Sequence, residues 1–195
     1  MRWGTHDLQE TLWGTPRRGA HSDGSGDVLD KARRFFTPDV TRRIASHRRL
    51  TRSSMNRAID STLPLLLTAL ADLAAQPQGA RKLSRSLARQ YPATLATVRN
   101  GIGCESQDVA AIYGAGYIEH LIGAEAFAGV RENIVRSAGL RTEEAKLLVG
   151  LVGWILMSQL RMEQRQFALN PTGLSYLLHC SRSGPARPMP ARFDA

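Results

Sequence analysis

What this chain has little of narrows it first. Two cysteines, Cys104 and Cys180, stand far apart in 195 residues. They make no disulfide framework, so a reducing compartment is expected. Aromatic residues are 6% of the chain. Nowhere do aromatic and β-branched residues alternate between turn signals, as they do in strands. The N-terminus, MRWGTHDLQETLWGTPRRGA, has no apolar run of the kind a secretory signal carries. No uncharged apolar stretch reaches the ~20 residues of a membrane helix. The expectation is a cytoplasmic chain without a transmembrane segment.

Chemistry-bearing motifs are equally scarce. The histidines are His6, His21, His47, His120 and His179. None stands three or four residues from another, and there is no H-E-x-x-H, C-x-x-C, phosphate loop or G-x-S-x-G. His179 and Cys180 are neighbours, which on a helix diverge by ~100° and chelate poorly. Cys104 has only His120 as a candidate base, and it reads as a loop cysteine. Gly114-Ala115-Gly116 follows no strand and has Glu119 where a dinucleotide loop needs glycine, so it reads as a helix-packing pair. No catalytic, cofactor-binding or metal residue is assigned, and the chain is expected not to be an enzyme.

What is present is helix. Ala, Leu and Arg dominate, all strong helix formers. The stretch that organises the rest is Leu147–Leu160, LLVGLVGWILMSQL, with Ser158 and Gln159 its only polar residues. At ~1.5 Å per residue it is roughly 21 Å long, short of a ~30 Å bilayer core, and it reads as a buried core helix. Thr142 is its expected N-cap, with Glu143 and Glu144 at the positive end of the dipole. Gly150 and Gly153 share one face and predict close approach by a neighbouring helix, since each costs ~1 kcal/mol against Ala.

Along the chain, residues 1–27 are polar and aperiodic, a disordered tail in which Trp3 and Trp13 are the odd feature. A helix is expected from Val28 to Phe36. Thr37-Pro38-Asp39 restarts one, and Thr51 caps a long helix with Met55, Ile59, Leu63, Leu66, Leu67 and Leu70 on one face. Pro64 inside it predicts a kink. Pro77-Gln78-Gly79 opens a short helix carrying Leu83 and Leu87, and Ala93–Asn100 reads as a weak helical turn. Gly101–Asp108 is read as a loop, followed by two helical pieces, Val109–Tyr113 and Tyr117–Ile122. Ala124–Ala138 is a helix between Gly123 and Gly139. Met162–Asn170 is read as a short polar stretch before a last helix opened by Pro171. Residues 181–195 form a Pro- and Arg-rich disordered tail.

Shifted by 90 positions, the halves agree. Val40, Ile44, Leu50, Ile59, Leu66, Leu67 and Leu70 fall on Val130, Ile134, Leu140, Val149, Leu156, Met157 and Leu160. Pro77-x-Gly79-x-x-x-Leu83 returns as Pro171-x-Gly173-x-x-x-Leu177. The expected fold is all-α, one domain over residues 28–180, built of two pseudo-repeated units packed through their long apolar helices.

Several stretches resemble one family: TPDVTRRIASHRRLTRSSMNRAIDSTLPLLLTAL, QPQGARKLSRSL, SAGLRTEEAKLLVGLVGWILMSQL and NPTGLSYLLH. They are similar to the YidB-like bacterial proteins, a family of unknown function. The resemblance implies an all-helical bacterial protein and carries over no catalytic residue.

Charge is the last signal. Residues 31–57 hold nine of the chain's Lys and Arg against Asp39 alone, within a formal net charge of +9. Arg42, Arg43, Arg48, Arg49, Arg52 and Arg57 are the candidate contacts to nucleic acid or an anionic surface. Phe35 and Phe36 are the only rings nearby and look like core, so such binding would be nonspecific. The leading reading is a non-enzymatic helical interaction or scaffold protein, with an unknown protein partner or a second copy. Nucleic-acid binding is the alternative, and an uncharacterised enzyme comes third. No cofactor is expected.

Overall fold

The structure is a computed structural model that describes residues 28–89, 102–103 and 105–183. The expectations for residues 1–27, for Ala93–Asn100, for Cys104 and for 184–195 lie outside the described residues. Among those described there are eight helices and no strands. The helices are α1 (Val28–Phe35), α2 (Pro38–His47), α3 (Arg52–Ala74), α4 (Pro77–Arg89), α5 (Glu105–Ile122), α6 (Ala124–Ala138), α7 (Thr142–Gln166) and α8 (Pro171–Ser183).

Local sequence accounts for most boundaries. The Thr37 hydroxyl accepts from Val40 N at 3.3 Å to start α2, and the Thr51 hydroxyl accepts from Ser54 N at 3.1 Å to start α3. Gly139 closes α6 in the left-handed conformation, φ 67°, where the missing Cβ avoids a clash. Helix α3 runs unbroken past Pro64. The proline ring removes the N–H that would bond the Asp60 carbonyl, yet the packed face of the helix continues on both sides.

Helix α7 is the hub. From Leu148 to Leu160 every residue except Trp154 is buried, and α1, α3, α4, α5 and α6 all touch it. It is longer than the apolar run implied. Met162–Gln166, read as a separate polar stretch, belong to it, because Arg161 and Glu163 are themselves buried against neighbours. Its 25 residues make it long and apolar enough to cross a bilayer, and 78% of its most apolar window is buried against the other helices.

The N-cap of α7 is Arg141 instead of Thr142. Glu144 reaches back and accepts from the Arg141 backbone N–H at 3.1 Å, which fixes the helix start one residue earlier. The expected loop at Gly101–Asp108 is also shorter: α5 starts at Glu105 and runs continuously through Gly114-Ala115-Gly116. The expected disordered tail begins later as well, since Ser181 is buried and α8 runs to Ser183.

The continuity of α5 has a tertiary cause. A Cβ built on Gly114 would lie 2.2 Å from the Gly150 carbonyl oxygen, and one on Gly150 would lie 2.0 Å from the Ala111 oxygen. The two helices cross backbone against backbone at paired glycines. One turn on, Gly153 faces Ile118, whose Cγ1 would sit 2.5 Å from an added Cβ. The close approach predicted from Gly150 and Gly153 is therefore made by α5. The long helices α3 and α7 do touch, but the tightest partner of α7 is α5.

Candidate functional site

Two surfaces could carry function, and α5 links them. The inner side of α5 is closed by α7, with Ala111, Gly114, Ala115, Ile118 and Leu121 buried. Its outer side is bare. Val109, Ile112 and Tyr113 are 53%, 61% and 70% exposed, at positions i, i+3 and i+4. One further turn on is Gly116, exposed and with no atom of the described residues within 4 Å of where its Cβ would be. Exposed apolar side chains in one stripe are uncommon on a soluble surface and mark a contact. Sequence reading assigned Val109 and Tyr113 to a helical piece and missed their exposure. The signal was there: Ala111, Ala115 and Ile118 already fill one apolar stripe of the helix, so Val109, Ile112 and Tyr113 form a second one.

The basic segment forms the other surface, and carboxylates quench part of it. Asp39 pairs with Arg42, and Arg43 Nε lies 3.4 Å from its second oxygen. Asp108, in the first turn of α5, holds Arg48 Nη2 at 2.6 Å and His47 Nε2 at 3.1 Å. Arg48 is thereby drawn in to 16% exposure. Arg49, Arg52 and Arg57 are exposed and form no ion pair among the described residues. Arg49 also sits in the left-handed region, φ 55°, where it turns α2 into α3. The six candidate arginines thus divide into three that share two carboxylates and three that are open. Asp108 was the unforeseen element, because a carboxylate 60 positions downstream carries no local sign of this pairing.

Two polar groups are buried near the end of α7. Glu163 is 3% exposed and accepts both 2.9 and 3.0 Å contacts from Lys31 Nζ of α1. Gln159 Nε2 donates to it at 2.9 Å. Across the helix, Arg161 is buried, with Nη1 lacking a hydrogen-bond partner. Tyr117 lies on that side, its pKa pushed up by burial, while the Ser86 hydroxyl and the Arg161 charge pull it back.

Nothing among the described residues groups three His, Cys, Asp or Glu in a way that could hold a metal ion. Clefts among the described residues are open to solvent. One of about 410 Å³ is lined by Arg131, Glu132, Val135, Arg136 and Thr142, and one of about 110 Å³ by Arg33, Phe36, Thr41, Asn56, Ile59 and Asp60. His120, the sole candidate base for Cys104, is exposed near the end of α5.

The sequence pattern of one bacterial family, a protein of unknown function designated DUF937, matches residues 30–162. The chain belongs to the DUF937 family. YidB is a member of it. The matched stretch runs from α1 into the C-terminal half of α7, so the α5–α7 glycine crossing, the exposed α5 stripe and the basic segment all lie within the DUF937 region. No curated protein and no solved structure matches the chain.

Proposed function

We propose that this DUF937 protein is a non-enzymatic interaction domain that docks an α-helix of a protein on the outer face of α5. The observation that carries this reading is the stripe Val109, Ile112 and Tyr113, exposed on a helix whose opposite face is locked to α7 through Gly114 and Gly150. A locked helix has its backbone already ordered, so binding has only the stripe's side chains left to order. The stripe spacing suits a second helix laid along it, as in other helix-on-helix recognition.

A photo-cross-linking residue placed at Gly116 in the full chain tests the reading inside bacterial cells. Adducts mapped by mass spectrometry to one helical segment, and lost when Ile112→Glu is added, support it. An absence of adducts, or adducts unchanged by Ile112→Glu, removes it.

A second reading is favoured by Arg49, Arg52 and Arg57, which stay exposed with no ion pair among the described residues. They supply a nonspecific contact to nucleic acid or an anionic surface. With ~−0.9 per phosphate neutralised on duplex DNA, three open arginines give a log–log salt slope near −3, and all six would give roughly −5. Changing Arg49, Arg52 and Arg57 to Gln abolishes binding under this reading. Changing Arg42 and Arg43, which share the one charge of Asp39, makes the slope shallower by only about 1. No binding to duplex DNA, RNA or anionic vesicles at ~50 mM salt, where phosphate contacts are strong, sinks it.

A further inference from the structure

The outer face of α5 can pair with itself, and the sizes of its side chains suit that pairing. The stripe residues are Val109, Ile112, Tyr113 and Gly116. Their spacing is three, one and three, the same read in either direction. Their sizes are not symmetric: a branched side chain stands at one end and an empty notch at the other. When two such helices lie antiparallel across a twofold axis between positions 112 and 113, Val109 of each meets Gly116 of the other. Ile112 of each then meets Tyr113 of the other. Knob faces notch twice, and the aliphatic side chain covers the ring twice. Isologous contacts require this kind of self-complementarity. Gly116 gains a role here that the described fold does not give it, since no described residue packs on it.

Charge is compatible with the same occupant. Two copies of a chain with net charge +9 repel one another. Helix α5, ESQDVAAIYGAGYIEHLI, contains neither Lys nor Arg, whereas every other described helix contains at least one. Cation therefore does not meet cation along the stripe, and in the antiparallel register Asp108 and Glu119 face positions 117 and 106 of the other copy and not each other. The three exposed side chains present roughly 400 Å² together, typical of a functional patch but below the ~800 Å² per partner of a standard stable interface. The association is accordingly weak and concentration-dependent.

We infer that the second helix on α5 is α5 of another copy, in an antiparallel homodimer that pairs Val109 with Gly116 and Ile112 with Tyr113. This rests on α5 being a docking face, and it goes further by naming the occupant. Sedimentation velocity of the full chain over a hundred-fold concentration range should show a monomer moving to dimer mass. Ile112→Glu should hold it at monomer mass throughout, with an unchanged far-UV spectrum and melting temperature. Val109→Lys serves as the second variant should the first misfold.

Register is read by cysteine cross-linking in a Cys104→Ser, Cys180→Ser background. A mixture of the Val109→Cys and Gly116→Cys variants should form a disulfide dimer on mild oxidation, at least tenfold faster than either variant alone. A wild-type monomer at every concentration overturns the proposal. So does a dimer that Ile112→Glu and Val109→Lys leave intact, and so do cross-links as fast in the single variants as in the mixture. Cross-linking at Gly116 that captures a different protein, in a chain that stays monomeric, removes the homodimer and keeps the docking face. Absence of both removes both.

Discussion

A shift of 90 positions sets α2–α3–α4 beside α6–α7–α8 for comparison. Helix α3 starts at Arg52 and α7 at Thr142, and α4 and α8 are both 13 residues long. Helix α6 starts four residues before, and α8 four residues after, the positions that α2 and α4 would set. The surroundings differ more. At the positions where α7 carries Gly150 and Gly153, α3 carries Asp60 and Leu63. A helix can cross α7 at backbone distance and cannot do so on α3. Helix α5 accordingly lies on α7, and its other face is left to the outside. Two missing side chains decide where the extra helix goes, and through that which surface is bare.

The largest effect should come from refilling that gap. Gly150→Ala puts a methyl 2.0 Å from the Ala111 oxygen and 2.5 Å from the Ala115 nitrogen, atoms that belong to backbone and cannot swing aside. A loss of about 3 kcal/mol or more is expected, at the upper end of overpacking costs. Asp60→Ala, the matching change in α3, should stay within ~0.5 kcal/mol. Urea melts of the two variants decide the matter. Equal losses would erase the distinction between the units.

The second contrast is buried charge. Glu163 of α7 corresponds to Leu73 of α3. Lys31→Met strips Glu163 of its cation and should cost about 2–3 kcal/mol, below the 3–5 of a fully buried pair because Lys31 keeps 24% of its exposure. Adding Glu163→Leu, which copies α3, should recover most of it. A double variant as unstable as Lys31→Met alone would mean that the carboxylate does more than hold α1.

A third contrast concerns the repeated Pro-x-Gly motif. A Cβ on Gly79 would lie 1.9 Å from the Leu73 oxygen, but one on Gly173 meets nothing nearer than 3.4 Å. Gly79→Ala should destabilise by about 2 kcal/mol through overpacking. Gly173→Ala should gain about 0.5 kcal/mol from helix propensity. Thermal melts that move in the same direction for both would show the motif plays one role.

The smallest expected effect is in the caps. Thr51 caps α3 with a neutral hydroxyl, and α7 relies on Glu144 reaching back to Arg141. The charged hydrogen bond from Arg141 holds the Glu144 carboxyl below its ordinary 4.5. A lowered folded-state pKa contributes stability above the unfolded value and loses it as pH falls through the folded one. Glu144→Gln should therefore narrow the melting-temperature difference between pH 7 and about pH 3 by roughly 1–2 °C. Thr51→Ala, whose hydroxyl does not titrate, should shift both ends alike.

Sequence spoke clearly where local chemistry decides. Thr37, Thr51, Gly123 and Gly139 placed helix ends, and the uninterrupted apolar run marked α7 as the centre. It spoke less clearly where partners distant in the chain decide. Gly114 and Gly116 read both as a break between helical pieces and as a packing pair, and Gly150 across the crossing makes the first a packing contact while no described residue meets the second. Asp108 looks like a loop acid until His47 and Arg48 reach it. The arginine cluster was legible as composition, but which members stay open depends on Asp39 and Asp108 in three dimensions. The stripe on α5 is spelled as a second apolar face beside Ala111, Ala115 and Ile118, and only the fold shows which of the two is left outside.

The place of α7 as hub also sets an order in time. Its residues lie in the last third of the chain, and the contact from Lys31 to Glu163 spans 132 positions. On a ribosome adding roughly 5–20 residues per second, α1 to α4 emerge several seconds before the helix that several of them pack on. During that interval the apolar sides of α1 and α3 have no hub to close on. Contacts of such long sequence separation also slow folding for a helical protein of this size. A chain released before α7 would keep α1 to α6 and no centre, and should be a substrate for chaperones and proteases.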